Sequence, residues 1–321
     1  MPLIKTEYKK PFLFNNGHWQ TIIPFLVTNP KPNYTRKRLE LPDGDFIDLD
    51  FTNANAQNKP LIVILHGLEG SSSSGYIIEI ANQMQTLGYE SVVFNFRGCS
   101  GEINRLFKSY HSGATEDLET VLKFLINMGY NNIHLLGFSL GGNVLLKYLG
   151  ESGKNFPNQI KSAVAISVPI MLYSSAIKLA QWDTKIYLNR FLKSMKGKII
   201  QKKHIYPDWF DFRRLMKSSD FESFDDAYTA PSFGFESAKD YYQKSSSFYF
   251  LNNIWLPTLL INAENDPFLS KDCFPIEIAR TSDFFFFEQT ISGGHVGFNR
   301  NKNDYLIRRI ASFYHSTDLK Q

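Results

Sequence analysis

The sequence predicts an α/β fold, a mainly parallel twisted sheet flanked by helices, from three observations. Short apolar runs alternate with helical patterns along the chain, as in repeated βαβ units. The strand-like run 133–136 leads through Gly137-Phe-Ser-Leu-Gly141 directly into the helix-like run 143–149. At 321 residues, 43% of them hydrophobic, the chain is long enough to bury a sizeable core. We therefore expect one domain over residues 1–321.

The individual elements follow from the local patterns in chain order. An antiparallel hairpin is expected at one sheet edge, because the turn sequence Pro42-Asp-Gly-Asp45 separates two strand-like runs. Continuous apolar runs predict buried parallel strands, and periodic apolar positions predict helices. The hairpin strands are expected at 38–41 and 46–51, the other strands at 61–65, 91–95, 133–136, 163–168, 256–262 and 284–289, and the helices flanking the sheet at 76–87, 114–128, 143–149 and 304–314.

The βαβ rhythm breaks between residues 170 and 253, where the patterns are helical and no convincing strand is present. Helices are expected there at 174–195, 210–217 and 238–245. This insertion is rich in aromatic residues, namely Tyr173, Trp182, Tyr187, Phe191, Trp209, Phe210, Phe221, Phe224, Phe233 and Phe235. Open α/β sheets bind ligands at the carboxyl ends of their strands, where the insertion begins. We expect a helical cap over that edge; an extra helical layer with its own small core is the alternative.

Ser139 is the candidate nucleophile. A serine at the tip of a sharp strand-to-helix turn sits in a strained backbone conformation, so the residues two positions away must be small. Gly137 and Gly141 satisfy that requirement. The turn, called the elbow below, lifts the hydroxyl clear of the sheet and aims the first helical amides at the same point. The serine run 71–74 is no equal competitor, because no strand directly precedes it and it fits a loop and helix N-cap.

A serine hydroxyl needs a base and a group that orients the base, in the chain order serine, acid, histidine. Asp266 follows the apolar strand 256–262, at the edge where the acid must lie. Glu264 is the nearest competing acid, and Asp272 and Asp283 are weaker ones. His295 follows paired glycines before the last helix, and only His315, near the C-terminus, also follows Asp266. Asp266 and His295 are therefore the predicted acid and general base.

The negative charge on a tetrahedral intermediate needs fixed hydrogen-bond donors. The backbone N–H of Leu140, directly after the nucleophile, is one candidate. The N–H of Leu68, in the glycine-flanked loop after strand 61–65, is the other. His66 is expected to orient this loop and not to act as a second base. No paired-histidine spacing or nucleotide-binding glycine motif follows a strand, so the sequence predicts neither a metal nor a cofactor.

Charge and composition limit the partners. The net charge of +4 is mild, and the lysine cluster at 196–203 is expected to be a solvated helix end, with no nucleic-acid partner. Cys99 and Cys273 lack metal or redox spacing, which fits a reducing, cytoplasmic location. The N-terminal residues lack the pattern of a secretory signal, and polar residues and glycines in the charge-free stretch 124–146 argue against a membrane span. Transient contact with a membrane surface and the oligomeric state stay open.

Seven stretches together resemble the α/β-hydrolase superfamily, in the branch of the bacterial YheT-type hydrolases, the plant Emb8-type proteins and the animal ABHD1/ABHD3-type lipid hydrolases. They span nearly the whole chain in order: Asn16-Gly-His-Trp-Gln-Thr21, Asn95-Phe-Arg-Gly-Cys99, Tyr110-His-Ser-Gly113, Gly137-Phe-Ser-Leu-Gly-Gly-Asn143, Phe224-Asp-Asp226, Asn265-Asp-Pro-Phe268 and Gly294-His-Val-Gly-Phe298. The resemblance implies an α/β-hydrolase fold and a serine carboxylesterase-like activity with Ser139, Asp266 and His295 as the triad. Short- to medium-chain acyl esters are the candidate substrates.

The sequence thus predicts a cofactor-independent serine ester hydrolase for a small-molecule acyl ester. A thioesterase, an acyltransferase or a peptidase could use the same triad, and a non-catalytic binding module could use the same fold. Two residues in the shared stretches have no clear chemical role. Arg97 is expected to brace a buried loop through a carboxylate and less so to bind a substrate anion. His111 is expected to be a hydrogen-bonded structural residue, with a place in the pocket as the alternative.

Overall fold

The computed structural model describes residues 3–8, 16–26, 30, 32–53, 59–206, 211–298 and 305–318. Within these ranges one sheet contains nine strands. They are β1 (Leu3–Ile4), β2 (Thr35–Glu40), β3 (Phe46–Phe51), β4 (Leu61–Leu65), β5 (Glu90–Asn95), β6 (Ile133–Phe138), β7 (Ile160–Ile166), β8 (Thr258–Ala263) and β9 (Phe285–Thr290). Their order across the sheet is β1-β9-β8-β7-β6-β4-β5-β3-β2. The predicted α/β class and the mainly parallel sheet are confirmed.

The predicted hairpin lies at one edge of the sheet. Strand β3 pairs antiparallel with both β2 and β5, whereas all other neighbouring strands are parallel. Arg36 and Arg38 on the edge strand bind the opposite carboxylates of Asp50 and Asp48 at 2.7 and 2.8 Å. Charged side chains protect such an edge from pairing with other chains. Strand β1 at the other edge was not predicted, because two residues are too short for a periodic signal.

Helices cover both faces of the sheet. Alternate side chains of β4 point to opposite faces: Leu61, Val63 and Leu65 join one core cluster and Ile62 and Ile64 another. The first cluster includes residues of α3 and α4, and the second residues of α2 and α12. The helices outside the insertion are α1 (Gly17–Leu26), α2 (Gly75–Thr86), α3 (Glu116–Asn127), α4 (Leu140–Ser152), α11 (Ile276–Thr281) and α12 (Tyr305–Asp318). Residue 304, the predicted start of the last helix, lies outside the described residues.

The described part of residues 170–253 is helical and holds no strand. It consists of α5 (Leu172–Leu179), α6 (Lys185–Lys202), α7 (Phe212–Lys217), α8 (Phe221–Phe224), a π-helical turn (Asp225–Thr229), α9 (Ala230–Phe233), α10 (Ala238–Ser245) and a 3₁₀ segment (Ser247–Asn253). The single helix expected at 174–195 is instead two helices. The reason is local: Thr184 Oγ1 donates to the carbonyls of Lys178 and Leu179, which closes the end of α5. Trp209 and Phe210 lie outside the described residues.

The lysine cluster at 196–203 was predicted to be a solvated helix end, and for Lys202 this prediction is wrong. Lys202 is 1% exposed, and its Nζ donates to Leu106 O at 2.7 Å, to Ser109 Oγ at 3.1 Å and to Asn104 Oδ1. Burial lowers the pKa of Lys202 to about 7. Helix α6 runs through the cluster and packs on the loop after β5, which the lysine spacing alone does not indicate. No helix in the described ranges is both long and apolar enough to span a membrane.

Candidate active site

Ser139 occupies the tight turn between β6 and α4. Its φ is +51° and its ψ is −120°, a conformation that costs a non-glycine residue about 1–3 kcal/mol. The surrounding backbone holds it there, since Ser139 N–H donates to Ile166 O at 2.9 Å and Asn143 N–H donates to Ser139 O at 3.0 Å. The strained elbow expected at this residue is therefore present.

The two elbow glycines are required by close backbone contacts. A Cβ on Gly137 would lie 2.6 Å from Gly142 Cα, and one on Gly141 would lie 2.5 Å from the carbonyl oxygens of Leu65 and His66. Both distances are shorter than real Cβ contacts, so any side chain would force the strand and the helix apart. The glycines let the elbow sit against the end of β4, where the Leu68 loop begins.

Asp266 and His295 form a buried hydrogen-bonded pair. His295 Nδ1 lies 2.8 Å from Asp266 Oδ2, and the residues are 5% and 4% exposed. The other carboxylate oxygen, Oδ1, accepts the N–H of Phe268 at 2.8 Å, which fixes its orientation. A carboxylate can only accept this bond, so Nδ1 carries the proton and Nε2 keeps the lone pair. Nε2 is the nitrogen that a general base uses toward a serine.

Helix α1 supports the loop that carries His295, a role that the sequence reasoning missed. Thr21 Oγ1 accepts the His295 N–H at 3.0 Å. Gln20 Oε1 accepts Gly293 N–H at 3.0 Å and Asn265 Nδ2 at 2.9 Å. One short helix thus touches both the acid loop and the histidine loop. The only signal was the stretch 16–21 among the shared motifs, and its spacing carries no chemistry of its own.

The loop after β4 is held from inside the core. Gly67 N–H donates to Tyr76 OH at 2.9 Å, and Gly67 O lies 2.8 Å from His66 Nδ1. His66 Nε2 accepts the N–H of Phe96 at 3.2 Å. Burial lowers the pKa of His66 to about 4, so the ring is neutral at pH 7. With both ring nitrogens engaged, His66 orients the loop, as expected.

Both predicted oxyanion donors border the cavity that holds Ser139 and His295. Leu140 begins α4, and the first amides of a helix have no acceptor within it. The Leu68 N–H lies in the glycine-flanked loop, and no acceptor in the described part of the chain takes its hydrogen bond. Leu68, Ser139, Leu140 and His295 all line one cavity. The structure therefore brings four of the five predicted site residues to one space, with Asp266 directly behind His295.

The cavity encloses about 1030 Å³ not filled by protein atoms, part of it continuous with solvent. Its apolar wall comes largely from helices α5, α6 and α8 of the insertion, through Leu172, Ala176, Leu179, Phe191, Met195, Ile199, Phe221 and Phe224. Polar side chains line the cavity as well, among them Glu69, Tyr110 and Asp225. Burial raises the pKa of Asp225 to about 7. No three His, Cys, Asp or Glu side chains of the described ranges converge as a metal site would require.

The competing acids and histidine lie in exposed positions. Glu264 is exposed, and its Oε1 accepts a hydrogen bond from Gln289 Nε2 at 2.8 Å. Asp272 and Asp283 are exposed as well, and His315 is exposed on the last helix. None of these side chains lines the cavity.

The structure gives Arg97 a bracing role. Its guanidinium binds both carboxylate oxygens of Asp117, at 2.7 and 2.6 Å, and reaches Asp43 at 2.6 Å and Asp45 at 3.3 Å. The hairpin turn and helix α3 are thereby tied together, and the guanidinium is occupied by carboxylates.

His111 is both a hydrogen-bonded structural residue and a residue of the cavity wall, the two roles considered for it from the sequence. It lines the cavity, and its Nδ1 accepts the N–H of Gly113 at 3.1 Å. The rings of Phe233 and Tyr241 pack edge-on against it. Burial lowers the pKa of His111 to about 3, so it is neutral at pH 7.

Comparisons with known proteins show what the chain as a whole is similar to. A family model described as the α/β-hydrolase fold matches residues 60–297. YheT of Escherichia coli (strain K12), named as a candidate esterase, is 37% identical over 292 residues, covering 89% of this chain and 85% of that protein. The Homo sapiens phospholipase ABHD3 is 30% identical over 308 residues, which cover 92% of this chain and 75% of that protein. An esterase structure from Pyrococcus furiosus shares the fold at a TM-score of 0.57 and 18% identity. The match covers 91% of this chain and 95% of that protein.

Proposed function

The chain belongs to the α/β-hydrolase family, in its esterase- and lipase-type branch, and on that premise we propose that it is a serine-dependent carboxylic ester hydrolase. The predicted resemblance to the YheT- and ABHD-type branch is confirmed by the matches above. The observation that supports the proposal most directly is the buried His295–Asp266 pair, whose His295 lines the same cavity as Ser139 on its elbow.

In the proposed mechanism Ser139 Oγ attacks the carbonyl carbon of the ester while His295 Nε2 takes its proton. Asp266 holds the imidazole in the required tautomer and stabilises the imidazolium that forms. The carbonyl oxygen becomes an oxyanion and accepts hydrogen bonds from the amides of Leu68 and Leu140. His295 then gives its proton to the departing alkoxide, which leaves as an alcohol. Ser139 remains as an acyl ester.

Deacylation repeats these steps with water as the nucleophile. His295 Nε2 takes a proton from water, the hydroxide attacks the acyl carbonyl, and the same two amides bind the second oxyanion. The proton returns to Ser139 Oγ as the carboxylic acid departs. No cofactor is needed, since every charge that develops is met by one of these groups.

The apolar wall of the cavity supports an acyl pocket within this proposal. Most of its side chains come from the insertion, which we propose forms a helical cap on a single domain of residues 1–321. One relative is a protein named a phospholipase, so esters of lipid-like acyl chains are the first substrates to test. A cytoplasmic location stays part of the proposal, supported by two cysteines that are both free thiols.

The deciding experiment combines active-site labelling with turnover. We expect wild type to react with a fluorophosphonate and to hydrolyse p-nitrophenyl esters in a chain-length series, and Ser139→Ala to do neither. Ser73→Ala, an exposed serine of the run 71–74, is the matched control and should behave as wild type. Wild type that neither labels nor turns over any ester would contradict the proposal. Turnover that survives Ser139→Ala would contradict the assigned nucleophile.

A further inference from the structure

Glu69 occupies a backbone position that ordinarily favours glycine. Residues 67–70 form a β-turn closed by Gly70 N–H, which donates to Gly67 O at 3.0 Å. Glu69 is the third residue of this turn, and its φ is +57°. A positive φ at that position is a feature of type II turns, in which glycine or asparagine is usual. A glutamate here needs a reason beyond the backbone, and an outlier of this kind points to function.

The Glu69 side chain connects the turn to helix α6 of the insertion. Lys198 Nζ donates to Glu69 Oε1 at 2.9 Å, and Ser194 Oγ donates to Oε2. Both donors lie on α6. Tyr110 OH donates to Oε1 at 2.9 Å and accepts the Glu69 N–H at 3.0 Å. The side chains of Glu69 and Lys198 are 7% and 22% exposed, and both line the cavity that holds Ser139.

Lys198 forms an ion pair with Glu69 and also donates a hydrogen bond to the cysteine beside it. Its Nζ lies 3.1 Å from Cys99 Sγ, but burial raises the pKa of that thiol, which therefore stays neutral at pH 7. Burial lowers the pKa of Lys198, and the charge and the hydrogen bond of Glu69 oppose this effect. The ammonium–carboxylate pair is thus the charged link between α6 and the turn.

The Leu68 amide lies next to this link. The peptide group before it is held by Gly67 N–H donating to Tyr76 OH, and the one after it by Glu69 N–H donating to Tyr110 OH. Peptide groups are planar and rotate only about the bonds to Cα, so a change in Glu69 is passed to its neighbour. The Leu68 N–H shares its planar peptide group with Gly67 O, which accepts the N–H of Gly70 at 3.0 Å and lies 2.8 Å from His66 Nδ1. Glu69 lies inside the turn that the Gly67–Gly70 bond closes. The position in which α6 holds its carboxylate therefore acts, together with these bonds, on the orientation of the Leu68 N–H.

We infer that Lys198 is a positioning residue for the oxyanion hole, acting through Glu69 on the amide of Leu68. The inference rests on the proposed function, because this amide matters to catalysis only if an oxyanion forms at Ser139. The Lys198–Glu69 pair therefore has a role in catalysis as well as in stability. The link holds one hydrogen-bond donor where charge develops in the transition state, and such donors lower the barrier without strengthening substrate binding.

The position of helix α6 also links the acyl chain of the substrate to the Lys198–Glu69 ion pair. Three of its residues line the apolar wall of the cavity, namely Phe191, Met195 and Ile199. An acyl chain packed on that wall stabilises the helix in the position from which Lys198 reaches Glu69. Part of the binding energy of the acyl chain is then expressed in kcat and not only in KM.

The test compares Lys198→Met with wild type on a medium-chain p-nitrophenyl ester. We expect kcat to fall about 10- to 100-fold with KM nearly unchanged, because a displaced donor weakens only the transition state. A trifluoromethyl ketone with the same acyl chain, whose Ser139 adduct carries an oxyanion, should lose affinity by a similar factor. The corresponding alcohol, which mimics only the ground state, should bind as before. Lys198→Arg keeps the charge and should recover most of kcat.

Lys193→Met is the matched control, since Lys193 is exposed on the same helix, and it should behave as wild type. Wild-type kcat in Lys198→Met, or equal weakening of both inhibitors, would overturn the inference. If circular dichroism shows that Lys198→Met does not fold, Glu69→Gln decides, because it removes the charge and keeps the shape. A kcat unchanged in Glu69→Gln overturns the inference as well. Absence of turnover in wild type would instead overturn the proposed function.

Discussion

His295 Nδ1 lies 2.8 Å from Asp266 Oδ2 in a buried pair, and His295 lines the same cavity as Ser139. The two residues are 29 positions apart and stand in different loops, one after β8 and one after β9. These strands are parallel neighbours in the sheet, so their carboxyl ends bring both loops to one edge. The geometry of the pair thus follows from the order of the strands.

The first prediction concerns the acid. Asp266→Asn keeps the shape of the side chain but removes the carboxylate that holds His295 in its base tautomer. We expect kcat for ester hydrolysis to fall by about 10⁴-fold, as in serine triads generally. Glu264→Gln, the same change in the competing exposed acid, should stay within about twofold of wild type, the range of an ordinary surface substitution. If kcat fell strongly in Glu264→Gln and not in Asp266→Asn, the acid of the triad would be Glu264.

The second prediction concerns the elbow glycines. In Gly141→Ala the new Cβ would lie 2.5 Å from two backbone oxygens, which cannot move without separating β4 from α4. We expect the free energy of unfolding to fall by about 3 kcal/mol or more, measured by chemical denaturation. Gly197→Ala on α6 has open space around its Cβ and should gain about 0.5–1 kcal/mol. A Gly141→Ala protein as stable as wild type would contradict the elbow geometry.

The third prediction concerns the acyl pocket. Ala176 on α5 lines the cavity, so Ala176→Trp would fill part of the apolar wall. We expect kcat/KM for a long-chain p-nitrophenyl ester to fall about 10- to 100-fold, and that for the acetate to change little. Ala180→Trp, one turn further along the chain at an exposed position, is the control and should keep the wild-type profile. An equal effect of Ala176→Trp on every chain length would place the acyl chain elsewhere.

The fourth prediction concerns the pH dependence of stability. Burial raises the pKa of Asp225 from 3.8 to about 7, although Thr229 and Tyr242 donate to its carboxylate. Between these values the folded chain keeps a proton that the unfolded chain releases. The contribution of Asp225 to stability therefore falls as the pH rises from about 4 to 7, by at most about 1.4 kcal/mol per pH unit.

Asp225→Asn removes this titration. We expect its Tm relative to wild type to rise steadily between pH 4 and 7.5. Asp272→Asn, an exposed carboxylate, should show a constant difference over the same range. A Tm difference for Asp225→Asn that does not change with pH would show that Asp225 titrates as an ordinary carboxylate.

The candidate catalytic residues and the sheet could be predicted because their signals are local. The elbow places Ser139 between a strand and a helix within ten residues, and strand-end positions marked Asp266 and His295. Lys202 shows the limit of such signals: a lysine in a basic cluster is usually solvated, yet the fold of the insertion buries this one against the loop after β5. The break between α5 and α6 was missed because a threonine side chain, and not proline or glycine, ends the helix.

By itself, the sequence determined the α/β class and the order along the chain of all strands except β1, and it predicted Ser139, Asp266 and His295 as the candidate triad. Only the tertiary structure decided what supports them. Thr21 holds the His295 loop across 274 positions of sequence, and Lys198 holds Glu69 across 129. Nothing in either segment of such a pair indicates its distant partner, and the shared stretch 16–21 that contains Thr21 has no spacing that points to the His295 loop. These contacts exist only once the sheet has brought its strand ends, helix α1 and helix α6 to one edge.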